Sequence, residues 1–309
     1  MNAPKVMPAS SGPALDLDYD GANLVFVVGC PRSGTTWVQR LLASHPSVRT
    51  GQESDVFDIY VGPQLQAWRR ELEITSSGRG GVGLGCYFRE AEFLPILKRY
   101  ALDLLRPMVG HLQAGDLFVE KTPSHALFIP EILTLLPRAR FVHVLRDARD
   151  TVASLLSASR SWGRTWAPRT ARQATGMWVQ HVEAARRARA HLGPHQFFEL
   201  RYEALHQNTP RQLTRLVDWL GLHWLEADLM QAVAANQPES ARRGEGTAIP
   251  MGGTFGDVSG PVVKEPVGFV RRAQAGTWRE DLSMVERAWV WKVGHVTMAR
   301  VGYTWPLPW

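Results

Sequence analysis

Apolar positions along this chain fall into short runs separated by longer stretches with a helical period. Four runs read as strands: Leu24–Val28, Leu117–Glu120, Arg140–Leu145 and Gln196–Leu200. A helix is expected from about Thr35 to Ala43, ending before His45-Pro46, because a residue preceding proline is pushed out of helical backbone. Another starts near Asp147, with Asp147 as its N-cap and Asp150 in its first turn. A long helix is predicted over Thr170 to Leu192, with Trp178, Val182 and Ala185 on its apolar side. The last helix opens with a capping box, Ser283 with Glu286, and carries a stripe of Val285, Ala288, Trp289, Val293 and Val296 before a stop at Gly302. Strands alternating with helices predict an α/β fold around a central, mostly parallel sheet.

Two stretches break the pattern. Thr75–Gly85 is glycine-rich, and Glu239–Pro266 has several Gly and Pro residues with weak periodicity. Loops of that length in a compact domain are lids, binding loops or disordered segments. The first twenty residues are rich in Pro, Ala and Ser without an apolar core, so residues 1–20 read as a flexible leader and 21–309 as a single domain. No stretch approaches the ~20 apolar residues of a membrane span. There are two cysteines, Cys30 and Cys86, which suits a reducing, cytoplasmic setting. A net charge of +6 suggests an anionic ligand, substrate or surface. Nucleic acid is not favoured, since there is no zinc-ligand spacing, basic arm or interleaved basic-aromatic pattern.

The candidate chemistry starts at VFVVGCPRSGTTWVQRLL, residues 25–42. Gly29 and Gly34 keep the spacing of a phosphate loop between a strand and a helix, G-x-x-x-x-G-K-[ST]. Thr35 stands where that motif has lysine, Thr36 follows, and Arg32 lies inside the loop. The backbone N–H groups of Ser33 to Thr36 are expected to face a phosphate at the helix N-terminus. Without the lysine that serves β and γ phosphates, a triphosphate is disfavoured. A donor with one phosphate there, and a charged group to be transferred near Arg32, fits better. The alternative is a tight turn that binds nothing.

A second motif, FVHVLRDARDTVASLL (residues 141–156), ends a strand in Arg146 and sets Ser154 about two turns into the next helix. The two could grip a second phosphate, or Arg146 could simply pair with Asp150. A third, GFVRRAQAGTWRE (residues 268–280), holds Arg271 and Arg272, either on a solvated basic turn or on a lid over an anion.

Together these motifs resemble the sulfotransferases that use 3′-phosphoadenosine-5′-phosphosulfate (PAPS). The resemblance spans residues 24 to about 280. It implies a three-layer fold like that of P-loop nucleotide kinases, with no metal, and release of 3′-phosphoadenosine-5′-phosphate (PAP). It implies that Arg32, Ser33, Gly34, Thr35, Thr36 and Trp37 hold the 5′-phosphosulfate, and that Arg146, Ser154, Arg271 and Arg272 hold the 3′-phosphate. The late signature F-x-R-K-G-x-x-G-x-W-K is matched at Phe269, Arg271, Arg272, Gly276, Trp278 and Arg279, and departs at Ala273 and in Arg for Lys. Tyr202 in LRYEAL matches a tyrosine near the adenine. In LFVEKTPSHALF, Lys121 follows a strand, and Pro123 replaces the histidine base of the K-T-H cytosolic members. His125 is read as a surface or helix-start residue. Glu53 stands where the tyrosylprotein and heparan-type members carry a carboxylate base, and so is the implied base, with Arg32 and Lys121 stabilising charge.

The expected reaction is O-sulfation of a small molecule, lipid or glycan hydroxyl. A metal-dependent phosphotransferase of P-loop kinase type and a non-catalytic nucleotide-binding module are the rivals. Nothing in the motifs names the acceptor.

Overall fold

The structure is a computed structural model that describes residues 13–78, 80–237, 240, 249, 269 and 274–304. Among these, five strands form one sheet: β1 (Leu24–Gly29), β2 (Val48–Thr50), β3 (Leu117–Glu120), β4 (Arg140–Leu145) and β5 (Phe197–Arg201). Their order is β2-β3-β1-β4-β5, and every neighbouring pair is parallel. The expected α/β fold is therefore observed. Central β1 is buried along all six residues, which is why it reads as an unbroken apolar run.

Alternate residues of β1 feed two cores. Leu24, Phe26 and Val28 face a cluster containing residues of α2 (Gly62–Ser76), α3 (Glu90–Val109), α4 (Ile129–Leu135) and the end of α6 (Ala171–Arg189). Val25 and Val27 face the opposite cluster, with α1 (Thr35–Ala43), α8 (Thr209–Leu220) and α9 (Glu226–Ala235). Helices thus cover both faces of the sheet in three layers. A third cluster packs α5 (Ala148–Ser159) and α6 against α11 (Met284–Arg300), beyond the short α7 (Tyr202–Gln207) and α10 (Trp278–Asp281).

Several local expectations hold. α1 runs from Thr35 to Ala43. Asp147 caps α5 by accepting the Arg149 N–H, and the Ser283–Glu286 capping box opens α11. Gly302, at φ 80°, follows the end of α11 as predicted. Trp178, Val182 and Ala185 are all buried on α6.

The apolar stripe of α11 is corrected. Its buried residues are Val290, Gly294, Thr297 and Met298, whereas Val285 and Val296 are exposed. The face was set by Gly294, which lets α11 approach α6 so closely that a Cβ there would lie 3.0 Å from Thr175 Cγ2. The buried face lies one position on from the predicted stripe, whose Trp289 packs at its margin against the third cluster.

β2 was not anticipated; three residues are too few to show a pattern. The glycine-rich stretch is partly regular: Thr75 and Ser76 finish α2, and Gly83–Cys86 forms a 3₁₀ turn. That turn docks on α2 through the Gly85 N–H, which donates to Glu71 at 3.2 Å. The stretch Glu239–Pro266 lies outside the described residues apart from Ser240 and Ile249. At the other end, Leu15 and Tyr19, within the expected leader, pack against the first core. No helix among the described residues is long and apolar enough to cross a membrane.

Candidate functional site

Because all five strands are parallel, their carboxyl ends share one edge, where open α/β sheets take ligands. Each end brings a candidate residue there: Arg32 and Ser33 after β1, Glu53 after β2, Lys121 after β3, Arg146 after β4 and Tyr202 after β5. These positions span 170 residues of chain. Only the sheet makes them neighbours.

The loop after β1 turns on two left-handed residues, Arg32 at φ 75° and Gly34 at φ 104°. A Cβ at Gly34 would lie 2.5 Å from Tyr202 Cδ2, so both backbone and packing require glycine. Thr35 and Thr36 open α1, and the first helical carbonyl, Gly34, accepts from Trp37 and Val38. The amides of Gly34 to Thr36 therefore precede the hydrogen-bond ladder. Ser33 differs from expectation. Its N–H closes a turn on the Cys30 carbonyl at 3.0 Å, so only its side chain is available to a ligand. The Ser33 hydroxyl is buried with no hydrogen-bond partner among the described residues.

Arg32 reaches across the edge. Its Nε lies 3.3 Å from Ser154 Oγ on α5, and a terminal nitrogen donates to the Phe269 carbonyl. Its guanidinium stacks over Phe269 at 4.3 Å and Trp162 at 5.1 Å. Trp162 had no local signal to mark it.

Arg146 is held by packing behind it. The Trp178 indole N–H donates to the Arg146 carbonyl at 2.9 Å, tying the end of β4 to α6. The guanidinium donates to the carbonyls of Arg32 (3.3 Å) and Gln274 (3.0 Å), and its carbon sits 4.0 Å from the Tyr202 ring centre. Its Nε is buried without a partner among the described residues. The suggested Arg146–Asp150 pair does not form. Asp150 instead accepts the N–H groups of Gly276 (2.7 Å) and Trp278 (3.0 Å). The end of the late signature is thereby fastened to the start of α5, a role its first-turn position did not reveal. Arg271 and Arg272 lie outside the described residues.

Tyr202 packs among Gly34, Arg146 and Trp37, with the Trp37 ring edge-on at 5.7 Å. On the other flank, Lys121 Nζ is paired with Glu53 Oε1. The lysine is buried and the glutamate side chain is 49% exposed. Both line a cavity of 210 Å³ together with Thr36, Gln39, Arg40 and Phe269.

His125 is not a surface residue. It lies in a 3₁₀ turn, Pro123–Leu127, and is 0% exposed. Pro123 does open a helical turn, but the turn folds inward, against Phe26 and Phe57. Nδ1 is 2.8 Å from Glu120 Oε2, and Nε2 faces the Phe57 N–H at 3.1 Å and Asp58 Oδ1 at 3.5 Å. Burial would depress the imidazole, but the Glu120 and Asp58 carboxylates more than reverse that and push it up. The Nδ1 proton toward Glu120 is present in the charged and the neutral ring alike, whereas the Phe57 N–H bonds only to an unprotonated Nε2 and so opposes that rise. Glu120 is itself buried. Burial works to raise its carboxyl, yet His125 and the hydroxyls of Thr122 and Ser54 outweigh that and hold it at about 2.

Comparison with known proteins adds a family. The sequence model of the Sulfotransferase family matches residues 24–226. A putative protein-tyrosine sulfotransferase of Caenorhabditis briggsae is 25% identical over 203 residues, 65% of this chain and 66% of that one. The protein-tyrosine sulfotransferase of Drosophila melanogaster is 23% identical over 215 residues, 70% of this chain and 41% of its own. Protein-tyrosine sulfotransferase 1 of Danio rerio is 27% identical over 215 residues, covering 67% and 55%. This chain thus spans between 41% and 66% of the length of these relatives. Among solved structures, a mouse sulfotransferase complexed with PAP superposes with a TM-score of 0.57 at 12% identity, over 94% of this chain and 90% of the other. Retinol dehydratase in complex with retinol and PAP gives 0.53 at 16% identity, over 93% and 84%. At these identities the likeness is one of fold.

Proposed function

This chain belongs to the sulfotransferase family, and we propose that it transfers a sulfonate group from PAPS to an acceptor hydroxyl, releasing PAP. One observation carries the choice of donor: of the buried polar atoms without a hydrogen-bond partner among the described residues, Ser33 Oγ and Arg146 Nε lie on the two segments of the carboxyl edge, after β1 and at the end of β4. A buried donor left unpaired costs about 1–3 kcal/mol. Phosphate oxygens would remove that cost at two places, the loop after β1 and the end of β4.

In this reading the amides of Gly34 to Thr36 and the Ser33 hydroxyl receive the 5′-phosphate, with Trp37 closing that side. Arg146 and Ser154 receive the 3′-phosphate with Arg271 and Arg272, and Tyr202 faces the adenine. Arg32 now touches Ser154. Glu53 takes the acceptor's proton as its oxygen bonds to sulfur and the bond from sulfur to the phosphate oxygen breaks. Arg32 and Lys121 face the charge that builds on the sulfonate and on the departing phosphate. No metal is required, since two arginine sites and the helix N-terminus supply the positive potential.

The acceptor is a hydroxyl of a small molecule, lipid or glycan, and the names of the relatives add a peptide tyrosine to the classes to be tested with labelled PAPS. We keep a cytoplasmic setting within the same proposal, supported by the free thiols of Cys30 and Cys86.

A thermal-shift assay separates the donor reading from the kinase rival. PAP with a chelator present should raise the melting temperature, because ligand bound to the native state stabilises it by mass action. ATP with Mg²⁺ should not. Equal stabilisation by adenosine 5′-phosphate, which lacks the 3′-phosphate, would overturn the two-phosphate arrangement. Calorimetry should find that Arg146→Ala raises the PAP Kd roughly tenfold or more, since a charge-assisted bond contributes about 1.5–3 kcal/mol. An unchanged Kd would remove Arg146 from the donor site.

A further inference from the structure

The loop that carries Glu53 has no regular structure of its own; β2 ends at Thr50 and a π-helical turn starts at Val56. It is nevertheless suspended at both ends by buried side chains. At the near end, the Gln39 amide donates to the Thr50 hydroxyl and to the Gly51 carbonyl, each at 2.8 Å. At the far end, the Thr122 hydroxyl accepts the N–H groups of Ser54 (3.1 Å) and Asp55 (3.3 Å). That hydroxyl in turn donates to Glu120 Oε1 at 2.6 Å. Glu120 Oε1 also receives the Ser54 hydroxyl at 2.8 Å and its N–H at 3.2 Å. Asp55 is held at φ 52°, a left-handed conformation that a non-glycine residue keeps only where its surroundings enforce it.

Glu120 and Thr122 stand on either side of Lys121, so one short segment grips the loop and supplies the cation paired with Glu53. Five hydrogen bonds on Glu120, including those from the Thr122 N–H and His125, exceed what one strand end needs for itself. The geometry points to Thr122, Ser54 and Glu120 as positioning residues. We propose that they fix the backbone of Ser54 and Asp55, and that this places the Glu53 carboxylate for proton transfer. The proposal rests on the reading of Glu53 as base. A misplacement of about 1 Å can cost on the order of 10²-fold in rate.

The test uses the full chain, with PAPS and whichever of a phenol, a glycan, a lipid alcohol or a tyrosine peptide it sulfates fastest. Thr122→Val keeps the shape and removes the hydroxyl; kcat should fall at least about tenfold, with the KM for PAPS and the PAP Kd within about twofold. Thr122→Ser should restore the rate. Hydrogen exchange in the ligand-free protein should quicken at Ser54 and Asp55 in Thr122→Val and stay unchanged in Glu53→Gln. In a Glu53→Gln background, Thr122→Val should lower kcat no further, because it acts through Glu53. If Thr122→Val does not fold, Ser54→Ala, which removes one loop hydroxyl, takes its place with the same expectations.

An inactive Glu53→Gln beside a Thr122→Val at the normal rate, or an equal loss in both backgrounds, overturns the positioning proposal alone. A Glu53→Gln that turns over normally overturns the base assignment, and the positioning proposal with it.

Discussion

Glu53→Gln is expected to lower kcat by about 10²–10⁴-fold while PAP affinity stays within about twofold, the loss typical of a general base. A hydroxyl is a poor nucleophile until its proton leaves, so a base must stand within hydrogen-bond reach of the attacking oxygen. Among the described residues lining the 210 Å³ cavity, Glu53 is the one carboxylate, and it faces Lys121 there. Glutamine preserves the shape and an oxygen for Lys121 while giving up the basicity. Because Lys121 is buried while the Glu53 side chain is half exposed, glutamine leaves the ammonium a neutral oxygen in place of its counter-charge, and a fall in melting temperature should accompany the loss of kcat. Steady-state kinetics with labelled PAPS, set beside calorimetry with PAP, separates lost chemistry from lost binding. Turnover at the wild-type rate would remove Glu53 from the mechanism.

His125→Ala is expected to act in the opposite sense, damaging the fold far more than the reaction. Its ring is fully buried and both nitrogens are engaged, so no acceptor can reach it. Removing it leaves the Glu120 carboxylate buried and short of a donor. Breaking a buried charged contact costs about 3–5 kcal/mol, on the order of 5–8 °C in Tm for a chain of this size. His125→Asn, which offers an N–H near the place of Nδ1, should recover a large part of that. Both variants, once folded, should turn over far faster than Glu53→Gln. A stable but inactive His125→Ala would reverse the assignment of the base.

The same buried carboxylate sets a pH limit. Glu120 titrates at about 2 in the fold, against an ordinary 4.5. A lowered carboxyl stabilises the fold fully above the unfolded value and loses that contribution as pH falls toward the folded one. Thermal unfolding between pH 5 and pH 2 should therefore show a loss of stability in the wild type that shrinks in Glu120→Gln.

The features legible in the sequence were local ones. The turn from β1 into α1, the caps at Asp147 and Ser283 and the stop at Gly302 each involve residues within a few positions of one another, and they took the predicted form except at the Ser33 amide. Strands β3 and β4 matched their predicted bounds, each an apolar run that ends where a charged residue, Lys121 or Arg146, follows. The motifs that resemble a sulfotransferase likewise sit in short continuous segments, and the family match over residues 24–226 takes in all of them except the late signature at 269–279.

What only the tertiary structure decided were contacts between distant residues. Glu53 meets Lys121 across 68 positions, and Asp150 holds Gly276 across 126, because the parallel order β2-β3-β1-β4-β5 sends every strand's carboxyl end to one edge. The pattern of apolar residues cannot encode that order, since the three inner strands β3, β1 and β4 are buried on both faces and read alike. Which side of α11 is buried turned on one missing methyl at Gly294, and a hydrophobic stripe takes no account of how closely two backbones can approach. His125 went inward for a similar reason. An imidazole is polar in isolation, but beside Glu120 and the Phe57 amide its hydrogen bonds are met inside the protein, and burial then costs it little.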